Sequence, residues 1–90
     1  MSVVSVMRIR RKPFGHKNNI GRKIIELRKQ KGYSQKDLLT RIQLLGWNLD
    51  DAVLSKIEGQ DRAIKYEEQK IIAKALNVDP DDLSSDPTAY

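Results

Sequence analysis

Apolar residues recur every three or four positions from about residue 20 to residue 83, which is the spacing of helices that bury one face. Glycine, proline and helix-capping residues interrupt this pattern and divide it into segments. We expect helices at about 20–31, 35–45, 51–58 and 66–76, followed by a short fifth helix that begins at Pro80. The sequence therefore predicts a compact all-α fold of four to five helices.

A capping pattern marks the start of the second predicted helix, and a short turn separates that helix from the third. Ser34 and Asp37 form an S-x-x-D variant of the capping box. Gly46 can adopt the left-handed conformation that ends a helix, and Asp50 is a candidate N-cap for the next one. Two helices joined in this way form a helix-turn-helix, whose second helix can lie in the major groove of DNA. The residues expected to face inward are Leu38, Leu39, Ile42 and Leu45 in the second helix and Val53, Leu54 and Ile57 in the third.

The order of five short segments resembles that of the lambda repressor/Cro-type (XRE) family of helix-turn-helix proteins. The segments are Ile20-Gly21-Arg22, Leu27-Arg28-Lys29, Tyr33-Ser34-Gln35-Lys36-Asp37-Leu38, Leu54-Ser55-Lys56-Ile57-Glu58-Gly59 and Ile72-Ala73-Lys74-Ala75-Leu76-Asn77-Val78. The resemblance covers about residues 20–83 and implies a lambda-repressor-like fold and a transcription regulator, often a repressor, that binds double-stranded DNA sequence-specifically. Relatives usually bind pseudo-palindromic sites as dimers, so the resemblance also implies a homodimer. It further implies a cytoplasmic, nucleoid-associated protein of a prokaryote or phage.

The resemblance implies positions for DNA contact in the helix-turn-helix and in the loop that follows it. In the family, the position of Gln35 commonly reaches a phosphate, and the N–H groups and positive dipole end of a helix N-terminus assist it. A glutamine that only faces solvent is the alternative interpretation. The third helix would enter the major groove with its outer side. The expected contacts to base edges or phosphates are Gln35, Lys36, Asp51, Ala52, Ser55, Lys56, Arg62 and Lys65.

Several other residues are expected to support the fold. Arg28 can pair with an acidic residue of a neighbouring helix, and Glu58 occupies a family position that more often forms a structural ion pair than a DNA contact. Trp47 lies in a turn longer than is usual in the family, and we expect it to cover the core, while Phe14 docks on the domain. For both aromatic residues, stacking on a base is the alternative.

Two acidic residues at the start of the third helix depart from the usual composition of a DNA-reading helix. As caps, Asp50 and Asp51 each stabilise the helix dipole by about 0.3–1 kcal/mol, but near phosphates they repel unless a carboxylate accepts from cytosine N4. We expect Asp50 to cap. For Asp51 two interpretations stay open, a cytosine contact or weakened or lost DNA binding. The second supports an alternative function, a protein-interaction module of the same fold that has lost DNA recognition.

The net charge of +5 is unevenly distributed along the chain. Residues 1–36 carry eleven Lys and Arg against one acid, whereas residues 37–90 carry six Lys and Arg against eleven acids, which together reproduce the net charge. Such asymmetry indicates a polyanionic partner or, alternatively, a solvated basic tail, and the adjoining helix-turn-helix favours nucleic acid. The residues expected to contact the phosphate backbone or a minor groove from the N-terminus are Arg8, Arg10, Arg11 and Lys12.

The chain length and these patterns suggest one small domain with two extensions. We expect residues 1–19 to form a flexible basic arm, because Pro13 and Gly15 oppose a helix there. The DNA-binding domain should span residues 20–84, and residues 85–90 should form a frayed tail.

Composition argues against catalysis, metal binding and membrane insertion. There is no cysteine, the single histidine, His16, has no second ligand near it in the sequence, and the glycines form no phosphate-binding loop. We therefore predict no catalytic residues, no metal and no small-molecule cofactor. No apolar run approaches membrane-spanning length and the N-terminus lacks a secretory pattern, so no membrane partner is expected.

Overall fold

The computed structural model describes residues 13–84, and in this part of the chain it contains five helices and no strand. The helices are α1 (Gly21–Gln30), α2 (Gln35–Leu44), α3 (Asp51–Glu58), α4 (Tyr66–Leu76) and α5 (Pro80–Ser84). The predicted all-α fold is confirmed, and the limits predicted for the first four helices differ from the observed ones by at most one residue. Residues 1–12 and 85–90, which include the start of the predicted arm and the predicted frayed tail, lie outside the described residues.

The predicted caps of α2 and α3 are present. The Asp37 N–H donates to the Ser34 hydroxyl over 3.0 Å, and the Ser34 N–H donates to the Asp37 carboxylate over 2.9 Å, so the capping box is complete. An Asp50 carboxylate oxygen accepts from the Val53 N–H over 2.8 Å. These local hydrogen bonds satisfy N–H groups that have no partner within their own helix, and they fix where the two helices of the motif begin.

The core lies where α3 packs against α1 and α2, and where α4 packs against α2 and α5. The helix faces that the sequence predicted to be apolar form this core, and Val53 is half-buried at the edge of the core. Trp47 is also half-buried against the core, which confirms its predicted covering role. The buried apolar residues are Ile20, Ile24, Leu38, Ile42, Leu49, Leu54, Ile57, Ile72, Ala73, Ala75, Leu76 and Leu83.

One residue predicted to face inward does not. Leu45 is 39 % exposed, because α2 ends at Leu44 and the chain then turns through Gly46, which has a positive φ of 104°. A side chain beyond the last helical residue no longer continues the row formed by Leu38 and Ile42. The prediction that Gly46 ends the helix in a left-handed conformation is thus confirmed, whereas the placement of Leu45 in the inward stripe was wrong.

Candidate nucleic-acid interface

The N-terminus of α2 is the first part of the candidate interface. The capping box fixes the start of this helix, so that Gln35 and Lys36 occupy its first two positions. The first N–H groups of a helix have no acceptor within the helix, and they carry the positive end of its dipole. Lys36 is exposed beside them. This end of α2 therefore has the polarity and the donors that bind a phosphate.

The capping box also makes stability depend on pH. The pKa of Asp37 lies below its ordinary value of 3.8, first because the Ser34 N–H donates to its carboxylate and second because the Ser34 hydroxyl stabilises the charged form. Since the pKa is lowered in the folded state, this stabilisation is present above pH 3.8 and is lost as the pH falls through the folded-state pKa.

We expect Asp37→Asn to lower the free energy of unfolding near neutral pH, and we expect the difference in this free energy from the unmodified chain to shrink in acid. Urea unfolding at about pH 7 and at about pH 2.5 measures both values, and a difference that does not change with pH would contradict this assignment.

Gln35 is oriented by two residues of α3. Its Nε2 atom donates to a Glu58 carboxylate oxygen over 3.0 Å, and the Ser55 hydroxyl donates to its Oε1 atom over 3.1 Å. Two predicted DNA-contact residues, Gln35 and Ser55, are thus brought together across the helix-turn-helix. A glutamine amide has two N–H groups and a hydroxyl oxygen has two lone pairs, so both side chains keep capacity for a further hydrogen bond.

A buried ion pair lies beneath this network. Glu58 is 2 % exposed, and its carboxylate accepts from Arg28 Nε over 2.8 Å and from Arg28 Nη2 over 3.0 Å. Arg28 also donates through Nη1 to the Tyr33 carbonyl oxygen over 3.3 Å. The predicted pairing of Arg28 with an acid of a neighbouring helix, and the predicted structural role of Glu58, are both confirmed. Because the pair joins α1 to α3 and Glu58 also accepts from Gln35, it connects the core to the candidate interface.

The outer side of α3 is the second part of the candidate interface. The side chains of Leu54, Ile57 and Glu58 are buried, while the remaining positions of the helix point outward or lie at its edge. The Asp50 carboxylate caps the helix, as expected, whereas Asp51 is exposed one residue later. The exposed residues of α3 are those predicted to meet DNA, namely Asp51, Ala52, Ser55 and Lys56.

The loop after α3 places its two predicted contact residues differently. Arg62 forms an ion pair with Glu68 of α4, with Nη1 3.2 Å from a carboxylate oxygen, whereas Lys65 is exposed and its N–H donates to Glu68 over 3.0 Å. Burial would raise the pKa of Glu68, but the Lys65 N–H and the Arg62 guanidinium together lower it below the ordinary value. The guanidinium of Arg62 therefore already has a carboxylate partner, and the Lys65 side chain is the more accessible positive group.

The last part of the predicted arm contacts the helical domain. The Gly15 N–H donates to the Gly59 carbonyl over 2.8 Å, and the Lys17 N–H donates to the Gln60 carbonyl over 2.9 Å. Phe14 is half-buried with the Arg22 guanidinium 4.5 Å from its ring centroid, an arrangement that agrees with docking. The other predicted contact residues of the arm, Arg8, Arg10, Arg11 and Lys12, lie outside the described residues.

Sequence reasoning missed two residues that join the N-terminal segment to the rest of the chain. Asn18 accepts through Oδ1 from the Ile20 and Gly21 N–H groups at the start of α1. Its Nδ2 atom also donates to carbonyl oxygens 39 and 44 residues away in the sequence. Gln60 donates through Nε2 to the Gly15 carbonyl over 3.1 Å. An asparagine before a helix signals a cap, but no sequence signal identifies contacts over such separations.

Residues 13–84 include no helix that is long and apolar enough to cross a membrane. Within the same range, no group of three or more histidine, cysteine or acidic side chains is arranged to hold a metal ion.

Comparison with known proteins agrees with this geometry. A family model described as Helix-turn-helix matches residues 24–83, more than half of the chain. No curated protein and no solved structure gave a match. The matched range contains α2, the turn and α3, together with α4 and most of the residues that pack against them. The chain therefore belongs to the XRE, or lambda repressor/Cro-type, helix-turn-helix family of DNA-binding transcription regulators, which are typically not enzymes.

Proposed function

We propose that this protein binds double-stranded DNA sequence-specifically as a repressor, with α3 in the major groove. The observation that carries the proposal is the exposed side of α3, which lies next to the N-terminus of α2. Ser55 joins the two directly through its hydrogen bond to Gln35. One helix thus offers side chains to base edges, while the start of the other offers N–H groups and Lys36 to a phosphate.

The hydrogen bonds within the candidate interface indicate a different DNA contact for each of its residues. Since Gln35 is held by Ser55 and Glu58, it presents its remaining Nε2 hydrogen at a fixed position, which suits a phosphate oxygen. Ser55 donates its proton to Gln35, so its oxygen is left to accept from the amino group of adenine or cytosine. Lys56 can donate to guanine acceptors or to a phosphate. Asp51 fits cytosine N4, the base group that a carboxylate accepts from in the major groove.

The family's usual mode of binding supports a dimer on a pseudo-palindromic operator. Two copies related by a two-fold axis would place their α3 helices about 34 Å apart, one turn of the duplex. Occupying such a site blocks other proteins from the same DNA and requires no chemistry, which is how the protein would repress transcription. We propose a cytoplasmic, nucleoid-associated location on the same grounds.

A second candidate function is a protein-interaction module that has lost DNA recognition. The exposed carboxylate of Asp51 and the pairing of Arg62 with Glu68 favour it, because both reduce the positive charge beside the groove. Its partner would be another regulator or an acidic protein surface. An electrophoretic mobility shift with random and genomic duplexes separates the two functions, since the absence of any shift at low salt would favour the interaction module.

Alanine substitution of two exposed lysines, one on α3 and one on α4, tests whether the exposed side of α3 binds DNA. We expect Lys56→Ala to weaken binding to the preferred duplex by about 1–3 kcal/mol, because a lost base contact costs that much. The matched control is Lys74→Ala on α4, which removes the same charge from an exposed position of another helix and should change affinity far less. Fluorescence anisotropy with a labelled duplex measures both. Equal effects of the two substitutions would mean that binding depends on net charge and not on α3.

A further inference from the structure

The buried Glu58 carboxylate determines which end of the Gln35 amide faces the core. An ionised carboxylate has no proton to give, so it can only accept hydrogen bonds. The Gln35 Nε2 atom donates to it over 3.0 Å, beside the Arg28 Nη2 atom, which donates to the same oxygen over 3.0 Å. Turning the amide over would place its oxygen against that oxygen and leave two acceptors unpaired, which costs free energy where water is excluded.

The orientation of this amide determines in turn what the Ser55 hydroxyl does. With Nε2 directed to Glu58, the Gln35 Oε1 atom faces α3, and an amide oxygen can only accept. The Ser55 hydroxyl donates to it over 3.1 Å. A hydroxyl has one proton and two lone pairs, so Ser55 keeps only the capacity to accept. Because Ser55 is exposed on α3, that capacity faces whatever binds there.

The bases of DNA form two classes for a side chain that can only accept. In the major groove, adenine N6 and cytosine N4 carry amino donors, whereas guanine and thymine, the keto bases, present acceptors. Every base pair joins one amino base to one keto base. An acceptor on α3 therefore distinguishes A·T and C·G from the reversed pairs T·A and G·C.

We propose that Glu58, acting through the Gln35 amide, restricts Ser55 to an amino base, adenine or cytosine. The inference rests on the proposed function, in which Ser55 meets a base edge. It adds that Gln35 and Glu58 are positioning residues that determine base preference without touching that base. The direction of the hydrogen bonds is set at the ion pair beneath the candidate interface and is carried to its surface.

The size of the effect is that of one hydrogen bond. A serine hydroxyl with no fixed partner rotates to donate or to accept, so it meets amino and keto bases alike. Once its proton is held by Gln35, a keto base places an acceptor against the Ser55 oxygen. The expected preference for the amino base is about three- to tenfold, because a single hydrogen bond contributes a factor of that size.

The test first locates the base pair that Ser55 meets. Starting from a duplex that the full chain prefers, each base pair is reversed in turn, and fluorescence anisotropy measures binding by the full chain and by Ser55→Ala. We expect a base pair at which the full chain prefers the amino base and Ser55→Ala does not. A preference for the keto base there, or no base pair at which Ser55→Ala differs, would overturn the proposal.

Two substitutions behind Ser55 then test the positioning role. Gln35→Met removes the amide and frees the hydroxyl to rotate, so the preference should fall to about one. Glu58→Gln replaces the carboxylate by an amide whose oxygen can accept from Arg28 and whose nitrogen can donate to Gln35. The Gln35 amide then turns over, Ser55 accepts from it, and the preference should reverse to the keto base. An unchanged amino preference in either variant would overturn the proposal.

A matched control separates the positioning role from a general disturbance of the motif. Gln43 lies on the same helix, but its Nε2 atom donates to the Leu49 carbonyl over 2.8 Å. Gln43→Met should leave the preference at the Ser55 base pair unchanged, and a loss equal to that in Gln35→Met would overturn the proposal. The preference is a ratio of two affinities of one variant, so partial unfolding, which weakens both affinities by the same factor, does not change it.

The outcome for the unmodified chain separates this inference from the proposed function. A full chain that selects no duplex would refute the proposed function and this inference with it. A full chain that selects a duplex, and keeps its amino preference in Gln35→Met, would refute only the positioning role.

Discussion

Glu58→Ala is expected to lower the free energy of unfolding by about 3–5 kcal/mol, since removing one partner of a buried ion pair leaves the other charge buried without compensation. Glu58 is 2 % exposed, and the Arg28 side chain with which it pairs is 12 % exposed. A domain of this size has a total stability of about 5–15 kcal/mol, so a loss of this size removes a large share of it. Chemical unfolding followed by circular dichroism measures the change.

A control and a double mutant distinguish the buried pair from a general effect of charge. Glu67→Ala removes an exposed acid from α4 and should change stability little. Replacing Arg28 and Glu58 together should cost less than the sum of the two single changes, because neither charge is then left alone. A loss below about 1 kcal/mol for Glu58→Ala, or strict additivity in the double mutant, would contradict the role assigned to the pair.

The consequence of Glu58→Ala for DNA binding follows from the same contacts. Glu58 accepts from Gln35, so its removal also frees the glutamine whose amide we place near a phosphate. Under conditions where the variant remains folded, its affinity for DNA should therefore fall as well. The Glu58 carboxylate thus links the buried ion pair to the candidate interface.

Binding to DNA should weaken steeply with salt, by about 10³–10⁵ between 50 and 200 mM if six to ten phosphates are contacted. The physical reason is the release of counterions, to which each neutralised phosphate adds about 0.9 to the slope of log affinity against log salt. We expect the exposed lysines of the domain and the four cations at residues 8–12 to supply this term. Fluorescence anisotropy over a salt series measures the slope, and an affinity independent of salt would contradict phosphate contact.

Removing residues 1–12 separates the contribution of these residues to DNA affinity from that of the domain. Each of the four Lys or Arg residues among them that meets a phosphate should take about 0.9 from the slope, while the order of preference among duplexes should change less than the affinity. The deletion stops at residue 12 because Gly15 and Lys17 bond to the loop after α3. A shortened chain with the affinity and slope of the full chain would show that the arm plays no part.

The helices could be predicted because their signals are local. The apolar period and the capping box at Ser34 involve residues within one or two turns of each other, and such patterns predict where a helix begins. The error at Leu45 has the same origin. Periodicity extends a stripe for as long as apolar residues continue, whereas the last hydrogen-bonded turn decides where the helix ends.

The hydrogen bonds of the candidate interface could not be predicted, because they depend on how the helices pack. Ser55 meets Gln35 across 20 residues of sequence, and Arg62 meets Glu68 across a loop whose shape no pattern specifies. The resemblance indicated which positions face DNA, but not which of those side chains already have partners. The partner type of Arg28 was predictable, since an arginine on a helix surface commonly pairs with an acid of a neighbouring helix, and the identity of that acid as Glu58 was visible only in the fold.

The central claim is that the exposed side of α3 selects particular duplexes. The most direct measurement enriches bound duplexes from a randomised pool with the full chain, and then compares affinities for the enriched sequence and a scrambled one at physiological salt. We expect a pseudo-palindromic sequence to emerge and to bind at least about 10³-fold more tightly than its scrambled form. We also expect Lys56→Ala to reduce that ratio. A pool that remains random after selection, or equal affinities for the two duplexes, would contradict the claim.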